Sequence, residues 1–274
     1  MNSTLKTSAI VFAMGLSTCG VFAAGTASDT AANYASSWGT APPNWGSGFG
    51  IWNNNVINGN NPPYAGTYLD LLSYGNPDAV LSGGYAWGTY ANSGPPAPAF
   101  VMSRSFTAGA SGSTSLYNQT FSAGISSSGI GGLGSGITVN IGTAFNLSYL
   151  GGGADNMLLS VGGGSATALP VNYTDLSGGL LVALAVSGSL NSATEGYTLT
   201  LSPFAGGAAF YSGSGTFDSS SFNTSSFTFT DTDTANNQYV NNLNISPEVV
   251  PEPSTVALGI SGLATLLAFR RRAK

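Results

Sequence analysis

The stretch Gly136-Ile137-Thr138-Val139-Asn140-Ile141-Gly142-Thr143-Ala144-Phe145-Asn146-Leu147-Ser148-Tyr149-Leu150 decides the fold class. Ile137, Val139, Ile141, Phe145, Leu147 and Tyr149 lie on one face, with Thr138, Asn140, Asn146 and Ser148 on the other. A period of two over this length is that of a half-buried strand pair, because successive side chains of a strand point to opposite faces. The same period returns at Leu180, Val182, Leu184 and Val186, at Tyr197, Leu199 and Leu201, at Phe227 and Phe229, and at Leu243 and Ile245. Phe100, Met102, Arg104 and Phe106 form a further set, which places Arg104 on an apolar face, where a buried pairing with an Asp is expected. Gly-rich turns such as Gly151-Gly152-Gly153, Gly162-Gly163-Gly164 and Gly206-Gly207 separate the runs. Many short alternating segments of this kind predict an all-β fold, an antiparallel sandwich or barrel that buries one face of each sheet. No fixed repeat supports a parallel β-helix, and no long helix is expected between Trp45 and Ser246.

Composition narrows the chemistry. The chain has 274 residues, of which 39 are Gly and 13 Pro; charged residues make up 6% and histidine is absent. Soluble domains usually carry about 25% charged residues. Between Ala24 and Val250, Arg104 is the one cation against ten acids. That balance argues against nucleic acid as a partner, since phosphate neutralisation needs clustered Lys and Arg. The same span holds no His, Lys or Cys, so Ser-His, Cys-His and Ser-Lys nucleophile systems cannot be assembled there. Glycoside hydrolysis needs two carboxyls flanking one bond. Glu195, in a turn-like Ala-Thr-Glu-Gly, is the one Glu between 44 and 246. The chain is therefore not expected to be an enzyme.

The two ends read as addresses. Residues 1–23 have the layout of a secretory signal peptide: Lys6, an apolar stretch from Ala9 to Leu16, then Val21-Phe22-Ala23. Signal peptidase is expected to cut between Ala23 and Ala24. Cys19 after Leu16-Ser17-Thr18 is a competing, lipoprotein-like site, weakened by the Thr beside it. At the other end, Pro251-Glu252-Pro253 precedes an apolar run, 256–269, closed by Arg270, Arg271, Arg272 and Lys274. Fourteen helical residues span about 21 Å, short of a hydrocarbon core of about 30 Å, so this transmembrane helix is marginal. The basic cluster is expected to stay cytoplasmic.

The segment VPEPSTVALG, 250–259, with the short helix and the Arg cluster after it, resembles the PEP-CTERM sorting signal. That resemblance implies a Gram-negative bacterium with an exopolysaccharide system, and an exosortase-type membrane protease as processing partner. Pro251, Glu252 and Pro253 would be its recognition residues, with Arg270, Arg271 and Arg272 retaining the tail. The protein would cross the inner membrane, be held transiently by 256–269, and end at the cell surface or outside, associated with biofilm or extracellular polysaccharide.

A second resemblance covers roughly 47–246. GFGIWNNN (48–55), GTYANSG (88–94), MSRSF (102–106), SGGLLVALAVSG (177–188), GYTLTLSPFAGG (196–207) and YVNNLNIS (239–246) together are similar to the concanavalin A/laminin G-type jelly roll. The resemblance implies that the last strand, Leu243 and Ile245, returns beside an early one near Ile51. It does not fix an activity, because one fold hosts many. The expected organisation is a signal peptide 1–23, a flexible lead-in 24–43, a β-sandwich 44–246 and a sorting signal 247–274.

Two sites are open to the mature domain. Trp45, Trp52 and Tyr64 lie among asparagines, a composition suited to stacking on a sugar while hydrogen-bonding its hydroxyls; the favoured alternative puts the tryptophans in the core. Asp231 and Asp233 in Asp-Thr-Asp-Thr-Ala-Asn-Asn offer oxygens that Ca2+ prefers. The favoured alternative there is a polar turn with Asx hydrogen bonds. No cofactor other than that Ca2+ is expected. Two functions follow: a non-catalytic exported matrix or envelope protein, or a lectin-like carbohydrate-binding domain.

Overall fold

The computed structural model describes residues 26–35, 46–57, 65–71, 79–91, 99–106, 116–129, 136–151, 156–188, 193–233 and 236–247. The signal peptide with Ala23 and Ala24, Trp45, Tyr64, Pro251 to Pro253, the apolar run 256–269 and Arg270 to Arg272 lie outside these residues.

In chain order the strands are β1 (Ala27–Asp29), β2 (Asn53–Ile57), β3 (Ala65–Leu71), β4 (Tyr85–Ala91), β5 (Ala99–Ser105), β6 (Gln119–Ser127), β7 (Gly136–Ile141) and β8 (Phe145–Leu150). They continue as β9 (Leu158–Val161), β10 (Thr167–Ala168), β11 (Leu180–Ser187), β12 (Thr194–Pro203), β13 (Tyr211–Asp218), β14 (Ser226–Asp231) and β15 (Gln238–Pro247). A 3-10 turn covers Ala31–Tyr34, and one short helix, α1, covers Tyr173–Ser177. Asn172 caps α1, accepting from the amides of Thr174 and Asp175, while Asp175 accepts from the Asn172 amide. This reciprocal cap satisfies donors that a single helical turn cannot satisfy itself.

The strands form two antiparallel sheets. One has the order β13-β12-β11-β6-β15-β4-β3 with β1 also on β15; the other is β10-β9-β8-β7-β14-β5-β2. Their inner faces meet in one core, where Phe121 of β6 packs on Phe227 of β14 with ring centroids 5.5 Å apart. Phe145 of β8 likewise contacts Tyr197 of β12 at 5.0 Å and Phe217 of β13 at 5.2 Å. The fold is an all-β sandwich.

The β7–β8 hairpin follows the alternation read from the sequence. Ile137, Val139, Ile141, Phe145, Leu147 and Tyr149 are all buried. On the outer face Asn146 Nδ2 donates to Asn140 Oδ1 at 2.7 Å, across a directly paired position. The inward residues of β11, β14 and β15 and Leu199 and Leu201 of β12 are buried in the same way, while Tyr197 of β12 is half-buried against the core.

Three expectations are corrected. The lead-in 24–43 is not wholly flexible: Ala27, Ala31 and Tyr34 belong to the core, and β1 pairs with β15. The sandwich accordingly begins before residue 44. β15 runs beside β1, with Ala27 opposite Ile245 and Asp29 opposite Leu243, and not beside Ile51. Ile51 is 60% exposed, and β2 after it pairs with β5 in the other sheet. Ala27-Ser28-Asp29 suits β15 because its in-out-in pattern matches that of Ile245, Asn244 and Leu243. Finally, Glu195 stands within β12, opposite Phe217, and not in a turn.

Candidate functional site

Arg104 is the natural starting point, because it is the one Lys or Arg among the described residues. β5 alternation aims it into the core, where it is 1% exposed. Its Nη1 donates to Asp29 Oδ2, and Nε and Nη2 donate to the Gly50 carbonyl oxygen at 3.0 and 2.8 Å. Phe49 and Trp52 flank the guanidinium, with ring centroids 4.9 and 4.8 Å from Cζ. Asp29 in turn accepts from the Thr30 amide, Asn33 Nδ2 and the Tyr34 hydroxyl. The paired Asp expected from the sequence is present, supplied by β1.

Trp52 is therefore a core residue. It is 2% exposed and packs edge-on against Trp87 at 5.1 Å as well as over Arg104. This corrects its candidacy as a sugar-stacking platform, because a ring enclosed by Arg104, Trp87 and Phe227 cannot meet a ligand. Asn53, Asn54 and Asn55 beside it lie exposed on the edge strand β2.

Asp231 and Asp233 are both fully buried. Asp231 Oδ1 accepts from the Asp233 amide at 2.8 Å and Oδ2 from Thr89 Oγ1 at 2.9 Å; Asp233 Oδ1 accepts from the Asn236 amide at 3.2 Å. These are the Asx hydrogen bonds of a polar turn. Burial pushes the Asp231 carboxyl up to about 7, against the two hydrogen bonds that pull it down. No group of three or more His, Cys, Asp or Glu side chains converges among the described residues.

A separate opening lies on the outer face of the larger sheet. Ala183, Ser122, Asn244 and Ser28 stand side by side across β11, β6, β15 and β1. They face away from the core because their chain neighbours Val182, Leu184, Phe121, Ala123, Leu243 and Ile245 face into it. Beyond this row, the 3-10 turn and Phe204 complete a groove of about 610 Å3 lined by Thr30, Asn33, Ser122, Phe204, Asn242 and Asn244, with Leu181 adding an apolar side. Phe204 fits closely because β6 has Gly124 there: a Cβ on Gly124 would meet the Phe204 ring at 2.4 Å.

The groove exists because β15 changes partner along its length. Gln238, Tyr239 and Val240 pair with β4, whereas Leu243, Asn244 and Ile245 pair with β1. A bulge between Asn241 and Asn244 separates the two. Asn242 sits there with φ +49°, a left-handed conformation that Asn tolerates better than most residues. Asn241, fully buried, ties the junction together: its Oδ1 accepts from the amides of Ala31 and Asn242, and its Nδ2 donates to the carbonyls of Val80 and Tyr85. Sequence reading missed this groove, although one signal was present. Val240, Leu243 and Ile245 are spaced three and then two apart, the extra residue that a bulge inserts.

No protein-family model and no curated protein matches the chain. Among solved structures, the exoplasmic/lumenal domain of VIP36 in its Ca2+/Man3GlcNAc-bound form is similar at a TM-score of 0.43 and 6% identity, covering 72% of this chain and 92% of that one. The binding domain of Botulinum neurotoxin DC in complex with rat synaptotagmin II gives a TM-score of 0.39 at 10% identity, over 77% of this chain and 47% of that one.

Proposed function

We propose that the chain is a non-catalytic β-sandwich exported to the cell exterior, where it contacts carbohydrate. The observation that carries this reading is how the ionisable side chains are spent. Arg104 and Asp29 neutralise each other in the core, Asp175 caps α1, and Asp218 accepts from Ser220 and Ser221. Those serine hydrogen bonds hold the Asp218 carboxyl below its usual range. Glu195 and Asp218 lie on neighbouring strands, one step apart in register, and alternation sends them to opposite faces. They cannot flank one glycosidic bond, and partial burial raises the Glu195 carboxyl. Among the described residues the rest of the polar surface, outside Asp175, Glu195 and Asp218, is rich in hydroxyl and amide, groups that recognise sugars without ionic attraction.

Export rests on the resemblance of the tail to the PEP-CTERM signal. On that reading an exosortase-type protease removes the helix after Pro251-Glu252-Pro253, and the domain reaches a polysaccharide matrix. The test is to incubate the full chain with an insoluble neutral glucan and measure depletion from solution and reducing ends released. Saturable depletion without release of reducing ends is expected. Steady release of reducing ends, or no depletion, contradicts the proposal.

A further inference from the structure

We propose that the groove between the 3-10 turn and the β15 bulge binds a neutral saccharide; this rests on the carbohydrate reading above and names its site. The first argument is unspent hydrogen-bonding capacity. Among the described residues the side chains of Ser122, Asn242 and Asn244 make no hydrogen bond, although they line one opening. Asn241, Asn172 and Asn146 by contrast do structural work, joining three segments, capping α1 and pairing with Asn140, while the free amides of Asn53, Asn54 and Asn55 stand on an open edge strand and do not line this groove. An amide offers a donor and an acceptor together, which matches vicinal hydroxyls that both give and take a proton.

The second argument is charge. Among the described residues the one ionisable group lining the groove is Asp29, and it is 3% exposed. Its carboxylate already accepts from Arg104, Tyr34, Asn33 and the Thr30 amide. The groove therefore offers neither an exposed anion for a cation nor a cation for phosphate, sulfate or uronate. Its ligand is uncharged and rich in hydroxyls.

Shape is the third. Phe204 and Leu181 give an apolar strip beside the polar row, suited to the C–H face of a pyranose, while the amides meet its hydroxyl edge. The volume, about 610 Å3, lies within the range of small-ligand sites, about 300–1,000 Å3. The bulge is what aims adjacent polar side chains to this side, and a bulge beside a site is a common way of re-aiming them.

The test is calorimetric titration of the full chain with cellohexaose and maltoheptaose as neutral probes and oligogalacturonate as the acidic one. It is repeated with Asn244→Ala and with Asn242→Gly, which removes the amide yet suits the left-handed backbone. Asn146→Ala, on the outer face of the other sheet, is the control. Binding of at least one neutral probe is expected, weakened about five- to tenfold by each groove substitution and unchanged by the control. Unfolding midpoints of the groove variants should stay at the parent value. Neutral binding that both groove variants leave intact overturns the groove while the carbohydrate reading stands. Oligogalacturonate bound as tightly as the neutral probes overturns the charge argument. Binding of no probe by the parent chain overturns the site for these glucans, and together with no depletion by insoluble glucan it overturns the carbohydrate reading itself.

Discussion

The β7–β8 hairpin and the Ala27–Tyr34 segment are both integral to the sandwich, yet they are held in opposite ways. The hairpin is local: six consecutive residue pairs from Gly136–Leu150 to Ile141–Phe145, with an apolar face long enough to show its period. Ala27–Tyr34 is held from far away, by Leu243 to Ile245, Ser47, Asn241 and Arg104. Its three-residue strand has too few positions to display a period, and its turn, closed locally by the Asn33 amide on the Thr30 carbonyl, is tied to the sheet through distant Asn241. Local order is written in spacing; order imposed by distant partners is not.

The largest effect should come from the distant kind. Asp29→Ala leaves Arg104 buried without its carboxylate, and breaking a buried pair from one side costs about 3–5 kcal/mol. Denaturant unfolding should show a loss of that order; a loss below about 1 kcal/mol, the level of an exposed pair, would mean that the N-terminal segment is only loosely attached.

Next comes a pH effect on the hairpin's side, where Asp231 is paired opposite Ile137. Its folded value, about 7, lies above the ordinary 3.8, so the folded chain holds this proton more tightly than the unfolded one. The stabilisation is complete below about pH 4 and is lost as pH rises through 7. Between pH 5 and 8 the parent should lose about 2–3 kcal/mol that Asp231→Asn does not. Parallel stability curves for the two proteins would contradict this.

The smallest effect belongs to the hairpin's outer face. Asn146→Ala removes one solvent-accessible hydrogen bond to Asn140 and should cost about 0.5–1.5 kcal/mol. A cost as large as that of Asp29→Ala would erase the contrast between the two regions.

The same contrast explains what could be read in advance. The two-sheet class, the inward set Ile137, Val139 and Ile141, and Arg104's need for an Asp all followed from alternation. Asp29 as the partner did not, because nothing in Ala-Ser-Asp distinguishes it from the other acids before the chain folds. The role of Trp52 stayed open because Trp among asparagines reads equally as a loop platform or as the inward residue leading into an edge strand; only the cation beside it decides. The groove required knowing that β15 changes partner at Asn241, a tertiary event announced by a single irregular spacing. Of the candidate site residues, then, alternation placed those inside the core and could not assemble those outside it.

Ala27–Tyr34 carries both the Asp29 pair and the rim of the groove, so its attachment is the central claim. Hydrogen exchange of the full chain tests it most directly. The amides of Ser28, Ala31 and Asn33 donate to the Ser47 carbonyl, Asn241 Oδ1 and the Thr30 carbonyl at 3.0 Å each. Their exchange should be as slow as that of β15. Exchange of these three amides at the rate of an unstructured chain, with β15 protected, would contradict the account.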